Sequence, residues 1–140
     1  MAAPSANDER PWRFIVVHDQ QTKERIPDVH PFAHMAAHAP VVILVCGDIR
    51  HQRYPGFWVQ DCAAATENML IEAQQLGLGA VWLGVYPIEG RVQGLRRLLA
   101  IPDYVEPFSL VFAGYPAKDG PPASCYDESK VHRDIWSVNQ

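Results

Sequence analysis

The chain predicts an α+β sandwich, a sheet covered by helices with one long central helix among them. Three observations carry that expectation. Short, continuously apolar runs recur between turn signals, as the strands of a covered sheet do. Segments with apolar residues at helical spacing lie between those runs. Residues 60–87, QDCAAATENMLIEAQQLGLGAVWLGVYP, read without a break as a long helix, a glycine stop and an apolar strand.

Taken in order, Trp12–Val17 reads as a short apolar strand. Asp19 caps a brief helix over 20–25, which Pro27 is expected to end. Residues 32–38 form a second short helix before Pro40, and 41–46 make the next buried strand. Residues 48–56 are a polar loop. The long helix follows over 57–76, about 30 Å at 1.5 Å per residue. Its apolar stripe is Trp58, Cys62, Ala65, Met69, Ala73 and Leu76, with Asp61, Asn68 and Ile71 on a mixed face. Cys62 to Ala65 carry little bulk, so a neighbouring backbone can approach closely and the helix is expected to be packed on several sides. Gly77 supplies the left-handed cap, and 80–85 is a strand whose continuous apolarity predicts burial on both faces.

Beyond it, 88–99 is an amphipathic helix with Ile88, Val92, Leu95 and Leu99 on one side and Arg91, Arg96 and Arg97 away from it. Gly90 and Gly94 weaken it by about 1 kcal/mol each against Ala. Residues 107–114 are the last strand. Residues 116–140 form an extended arm whose isolated Trp136 suggests docking on another surface, such as a second subunit. The whole of 1–140 is expected to be one domain.

Composition narrows the function classes. A net charge of −4 with dispersed Lys and Arg argues against a nucleic-acid surface. No run of apolar residues is long enough to span a membrane, and no leader pattern opens the chain, so a cytoplasmic protein is expected. Three irregularly spaced cysteines make no disulfide framework. Cys46 and Cys62 read as buried small hydrophobes, and Cys125 as the exposed thiol.

Two constellations of titratable groups compete for attention. His30, His34 and His38 recur at i, i+4, i+8, a spacing that would present three imidazoles on one face of a continuous helix. Pro31 interrupts the run and no carboxylate or thiol completes it, so a solvated face is the better account. Asp61, Glu67 and Glu72 are offset by six and five residues, which does not place them on one face for acid–base work.

Several ordered motifs together resemble the FMN-dependent nitroreductase family. They are Pro4-Ser5-Ala6 through Pro11-Trp12-Arg13-Phe14, then Ala39-Pro40 before its strand, then Trp82-Leu83-Gly84. Ile101-Pro102, Pro107-Phe108 and Gly114-Tyr115-Pro116 follow, and finally Tyr126-Asp127 with Val131-His132 and Trp136. The resemblance implies an antiparallel-rich mixed sheet flanked by helices, a homodimer built on the long helix, and FMN as cofactor. It implies hydride delivery from NAD(P)H to the flavin and on to a nitroaromatic, quinone or similar small-molecule acceptor. Pro4 and Ser5 would line one edge of the isoalloxazine, and backbone at Leu83 and Gly84 would reach its reactive side beside Trp82. Lys130 would pair with the phosphate.

The resemblance also marks departures. Family members begin earlier, with a helix bearing an Arg-Ser-x-Arg motif that grips the flavin phosphate, so a start upstream of Met1 is one expectation. A non-catalytic dimeric scaffold or binding remnant of the same fold is the other. The family's Asn-x-Gln-Pro-Trp stands here as Asp8-Glu9-Arg10-Pro11-Trp12, which exchanges a donor for a carboxylate, with Asn7 as the substitute donor.

Overall fold

The computed structural model describes residues 1–50, 52–118 and 126–136, and within these the architecture is α+β. Four strands form one sheet: β1 (Trp12–Val17), β2 (Val41–Asp48), β3 (Gly79–Gly84) and β4 (Val105–Gly114). Their spatial order is β1-β2-β4-β3, and all three pairings are antiparallel. Three helices cover it: α1 (Gln20–Val29), α2 (Trp58–Gln75) and α3 (Glu89–Leu98). Among the described residues no helix is long and apolar enough to cross a membrane.

The pleat sends alternate residues to two cores. On one side Val42, Leu44, Cys46 and Leu110 meet Ile26 of α1 and Val92 and Leu95 of α3. On the other Trp12, Val45, Phe108 and Val111 meet Trp58, Cys62 and Ala65 of α2. A bulge between Val45 and Cys46 lets Pro107 stand within a central strand without breaking the ladder.

Local chemistry explains the ends. Asp19 accepts from the Thr22 backbone N–H at 2.8 Å and from its hydroxyl at 2.7 Å, capping α1 as expected. Gly77 has φ +71°. Its N–H reaches the Gln74 carbonyl while the Leu78 N–H reaches that of Ala73, a Schellman stop for α2.

Several expectations need correction. Pro27 lies inside α1 rather than ending it, because one more turn closes through the His30 N–H on the Ile26 carbonyl. The β2 strand runs on to Asp48, which is buried rather than part of a polar loop. β3 is an edge strand and is not buried on both faces; Val81 is 40% exposed. Leu76 and Ile88 drop out of their stripes, at 65% and 47% exposed, because each lies just beyond its helix. Arg96, placed away from the apolar side, is buried and hydrogen-bonds the carbonyls of Pro102 and Val105. Asp61 is buried too, while Glu67, Asn68, Ile71 and Glu72 leave one side of α2 open.

The two helix glycines differ. A side chain at Gly94 would run into Val29, so glycine is what lets α1 and α3 touch; Gly90 faces open space. Cys46 and Cys62 are buried, and burial pushes both thiols up to about 12. Cys125 lies outside the described residues.

Candidate functional site

The site is best built from Gly84, the last residue of β3. The neighbouring Val85 N–H donates to the Phe108 carbonyl at 3.0 Å, and Gly84 itself stands opposite Ser109. Hydrogen-bonded and outward-facing residues alternate in an antiparallel pair, so the Gly84 N–H and C=O point out from the sheet edge. The carbonyl is held by two donors, His30 Nε2 at 2.9 Å and the Arg91 guanidinium at 2.8 Å. The Phe32 N–H donates to His30 Nδ1 at 3.3 Å, which leaves Nε2 as the protonated nitrogen. A Cβ on Gly84 would meet nothing within 4 Å, so the space over this backbone is open. Its two predecessors diverge: Trp82 packs beside Phe108 at 5.8 Å on the α2 side, and Leu83 packs into the α1/α3 core.

The second group of candidate residues forms the N-terminal loop. Pro4 and Ser5 precede a 3₁₀ turn, Ala6–Asp8, and Asn7, Asp8 and Arg10 have φ of 50°, 56° and 48°. Three left-handed non-glycine residues within four positions store strain that the surroundings must sustain. The Arg10 N–H donates to Ser5 Oγ at 3.0 Å, the Arg53 N–H to Glu9 Oε1 at 2.9 Å, and the Ala6 N–H to Asp61 Oδ1 at 2.9 Å. Asp61 Oδ2 is buried with no protein partner, an acceptor left over. The Asp8 carboxylate is paired with the Arg10 guanidinium at 2.6 Å, so its charge is locally balanced. Beside the loop a cavity of about 400 Å³ is lined by Met1, Ala2, Ala3, Phe14, Asn68 and Met69 among others, within the size range of small-molecule sites.

Within one chain these groups do not share a pocket. The loop leads into β1 and Gly84 ends β3, at opposite edges of the sheet and three strand spacings (about 14 Å) apart. Lys130, the expected phosphate partner, stands in a 3₁₀ turn of the arm and is ion-paired with Asp127 at 3.4 Å. Trp136, at the end of the described arm, is 80% exposed and stacks on His132 at 4.1 Å.

The three histidines separate as well. His30 is buried at the end of α1 whereas His34 lies in the turn His34–Ala37, so no continuous helix aligns them and the solvated-face expectation fails for His30. Among the described residues no group of His, Cys, Asp and Glu is placed to hold a metal ion. His30, Arg91 and Asp61 were not anticipated as site residues. Nothing local marks the first two, and the only signal for Asp61 is a carboxylate in the first turn of a helix otherwise poor in bulk there.

Comparison with known proteins agrees with this geometry. The family model described as the Nitroreductase family matches residues 27–115. A candidate NADH dehydrogenase/NAD(P)H nitroreductase of Methanothermobacter thermautotrophicus is 52% identical over 136 residues, covering 97% of this chain and 71% of that protein. One of the same description from Archaeoglobus fulgidus is 46% identical, covering 97% and 80%. The crystal structure of a candidate NADH oxidase from Clostridium acetobutylicum superposes with a TM-score of 0.92 at 35% identity, covering 97% of this chain and 82% of that one. The chain belongs to the nitroreductase family.

Proposed function

We propose that this protein is an FMN-dependent NAD(P)H oxidoreductase that reduces nitroaromatic, quinone or similar acceptors. The observation that carries the reading is Gly84: an outward-facing N–H on an open edge, with no Cβ above it and its carbonyl already held. Such a backbone admits close approach of a planar ring and offers it one fixed donor. The chemistry FMN supplies when bound is hydride acceptance from NAD(P)H and onward reduction of the acceptor.

The residues divide that work. Gly84 would orient the ring edge, Trp82 would wall its neighbourhood from the α2 side, and Pro4, Ser5 and Asn7 would cover a second edge. Because one chain holds these sets at opposite sheet edges, the reading brings in a second copy, with the loop of one copy facing Gly84 of the other. Exposed Ile71 of α2 and Leu76 just beyond it offer an apolar face for that pairing. The two buried free thiols suit a reducing compartment, which supports a cytoplasmic setting. Asp8 is paired with Arg10, so its carboxylate adds little net negative charge beside a reduced flavin.

The second reading is a non-catalytic scaffold of the same fold, favoured by the commitment of Lys130 to Asp127 rather than to an open anion site. One experiment separates the two. Purified protein is incubated with FMN, desalted and scanned, and anaerobic NAD(P)H is then added. Retained flavin absorbance that bleaches on addition supports the reductase. A chain that stays colourless across a range of FMN concentrations sinks it.

A further inference from the structure

Two side chains from different helices converge on one backbone carbonyl, a device that the proposed reaction does not by itself require. We infer that His30 and Arg91 are positioning residues, a two-jawed clamp that fixes the Gly84–Val85 peptide and so holds Gly84, whose N–H is carried by the adjoining Leu83–Gly84 peptide, in the conformation that meets the bound ligand. The ligand half of this inference rests on the flavin reading above; the clamp itself does not.

A ligand edge that must lie against the main chain favours a residue without Cβ, and that residue is the one with the widest φ/ψ freedom. The upstream side of Gly84 is held by the ladder, since Leu83 is paired with Leu110. The downstream peptide carries the Val85 N–H, bonded to Phe108, and the Gly84 carbonyl, which points away from the sheet. The Tyr86 N–H reaches the same Phe108 carbonyl, so the sheet tethers this segment on one side and leaves the Gly84 carbonyl on the other without a ladder partner. His30 at 2.9 Å and Arg91 at 2.8 Å hold its other end.

The jaws are built rather than incidental. His30 is 1% exposed, so its ring cannot swing to solvent, and its tautomer is set by the Phe32 N–H. The Phe32 ring lies 5.7 Å from the Arg91 guanidinium, so one residue braces both jaws. His30 directly follows Val29, the residue that meets Gly94 of α3. The same close helix contact therefore delivers His30 from α1 and Arg91 from α3 to one point. Two donors on one carbonyl, one of them charged, make a stronger tether than an ordinary turn bond.

The test is amide hydrogen exchange by NMR on flavin-free protein, because the Val85 N–H shares its peptide plane with the clamped carbonyl. Arg91→Met, which removes a half-exposed donor, should speed exchange at Val85 on the order of tenfold while leaving Val45 in β2 unchanged. Arg91→Lys, which keeps a cationic donor, should recover most of that protection, and His30→Gln should fall between. FMN affinity, followed by flavin fluorescence, should weaken in the same order. Unchanged Val85 exchange in both Arg91→Met and His30→Gln overturns the clamp, as does uniform acceleration at Val85 and Val45. Faster Val85 exchange with wild-type FMN affinity overturns its role in positioning. If the wild-type chain binds no FMN, the flavin reading and the ligand half fall together, and exchange at Val85 still decides whether the carbonyl is clamped.

Discussion

The two faces of the sheet are finished to different degrees. On the α1/α3 side, Ile26, Val42, Leu44, Val85, Leu95 and Leu110 are all fully buried. The buried cations and imidazole there give donors to carbonyls, Lys23 to Ala39, Arg96 to Pro102 and Val105, and His30 to Gly84, with Arg96 also paired to Glu106 and its Nε left without a protein partner. On the α2 side the cluster is smaller, and one flank of the helix leaves Ile71 at 52% exposure. The buried polar groups there are a Thr66–Ser109 hydroxyl pair and Asp61, which keeps an unused acceptor atom. A face closed by its own residues supplies stability. A face with apolar surface and a spare acceptor is where another molecule can add to it.

Breaking the open face should give the largest effect. Ile71→Glu places a charge on the flank assigned to a second copy, and removes apolar burial worth about 1.5–3 kcal/mol per side chain covered. Light scattering should report a dimer for the wild type and a monomer for the variant, with the fold retained by circular dichroism. A wild-type chain that is monomeric at every concentration removes the second copy from the proposed site.

The closed face should respond by packing alone, and its two helix glycines sharpen the point. Gly94→Ala pushes a methyl into Val29, a strain of about 1–3 kcal/mol that outweighs the roughly 1 kcal/mol gained in helix propensity. Gly90→Ala meets open space and should stabilise by about 0.5–1 kcal/mol. The two substitutions, four residues apart, should move the urea midpoint in opposite directions. Movement in the same direction would mean that α1 and α3 are not in close contact in solution.

This asymmetry also explains which features were legible in the sequence. Helical spacing located α2 to within a residue at each end, and Gly77 announced its stop, because both signals are local. Strand apolarity located β3 but misjudged its burial, since apolar composition does not distinguish a core from a face left open in one chain. Pro27 misled because one turn of helix past a proline can be closed by a neighbouring N–H. Of the candidate site, the motif singled out Gly84, and the structure puts that residue at an open sheet edge. His30 and Arg91 were not legible. They lie 54 and 7 residues from the carbonyl they hold, and meet it only because Gly94 admits Val29. No periodicity encodes a contact of that kind.

The smallest effect concerns acid, at the buried carboxylate that ends β2. Asp48, buried at the end of β2, accepts from Arg50 at 2.7 Å and from Arg13 at 3.2 Å. The Arg50 hydrogen bonds above all hold its carboxyl at about 2, below the usual 3.8. The unfolded chain therefore takes up this proton at a higher pH than the folded one, and the contribution is complete above roughly pH 4–5. It fades as pH falls toward 2. With both arginines about half exposed and screened by water, it amounts to about 1–2 kcal/mol. Asp48→Asn should lower stability by that amount at pH 7 and lose less than the wild type between pH 4 and pH 2.5, as read from urea midpoints. On the α1/α3 side Glu106, ion-paired with Arg96 at 3.0 Å, is the corresponding carboxylate. Equal acid slopes in the two proteins would transfer the acid sensitivity to other carboxylates.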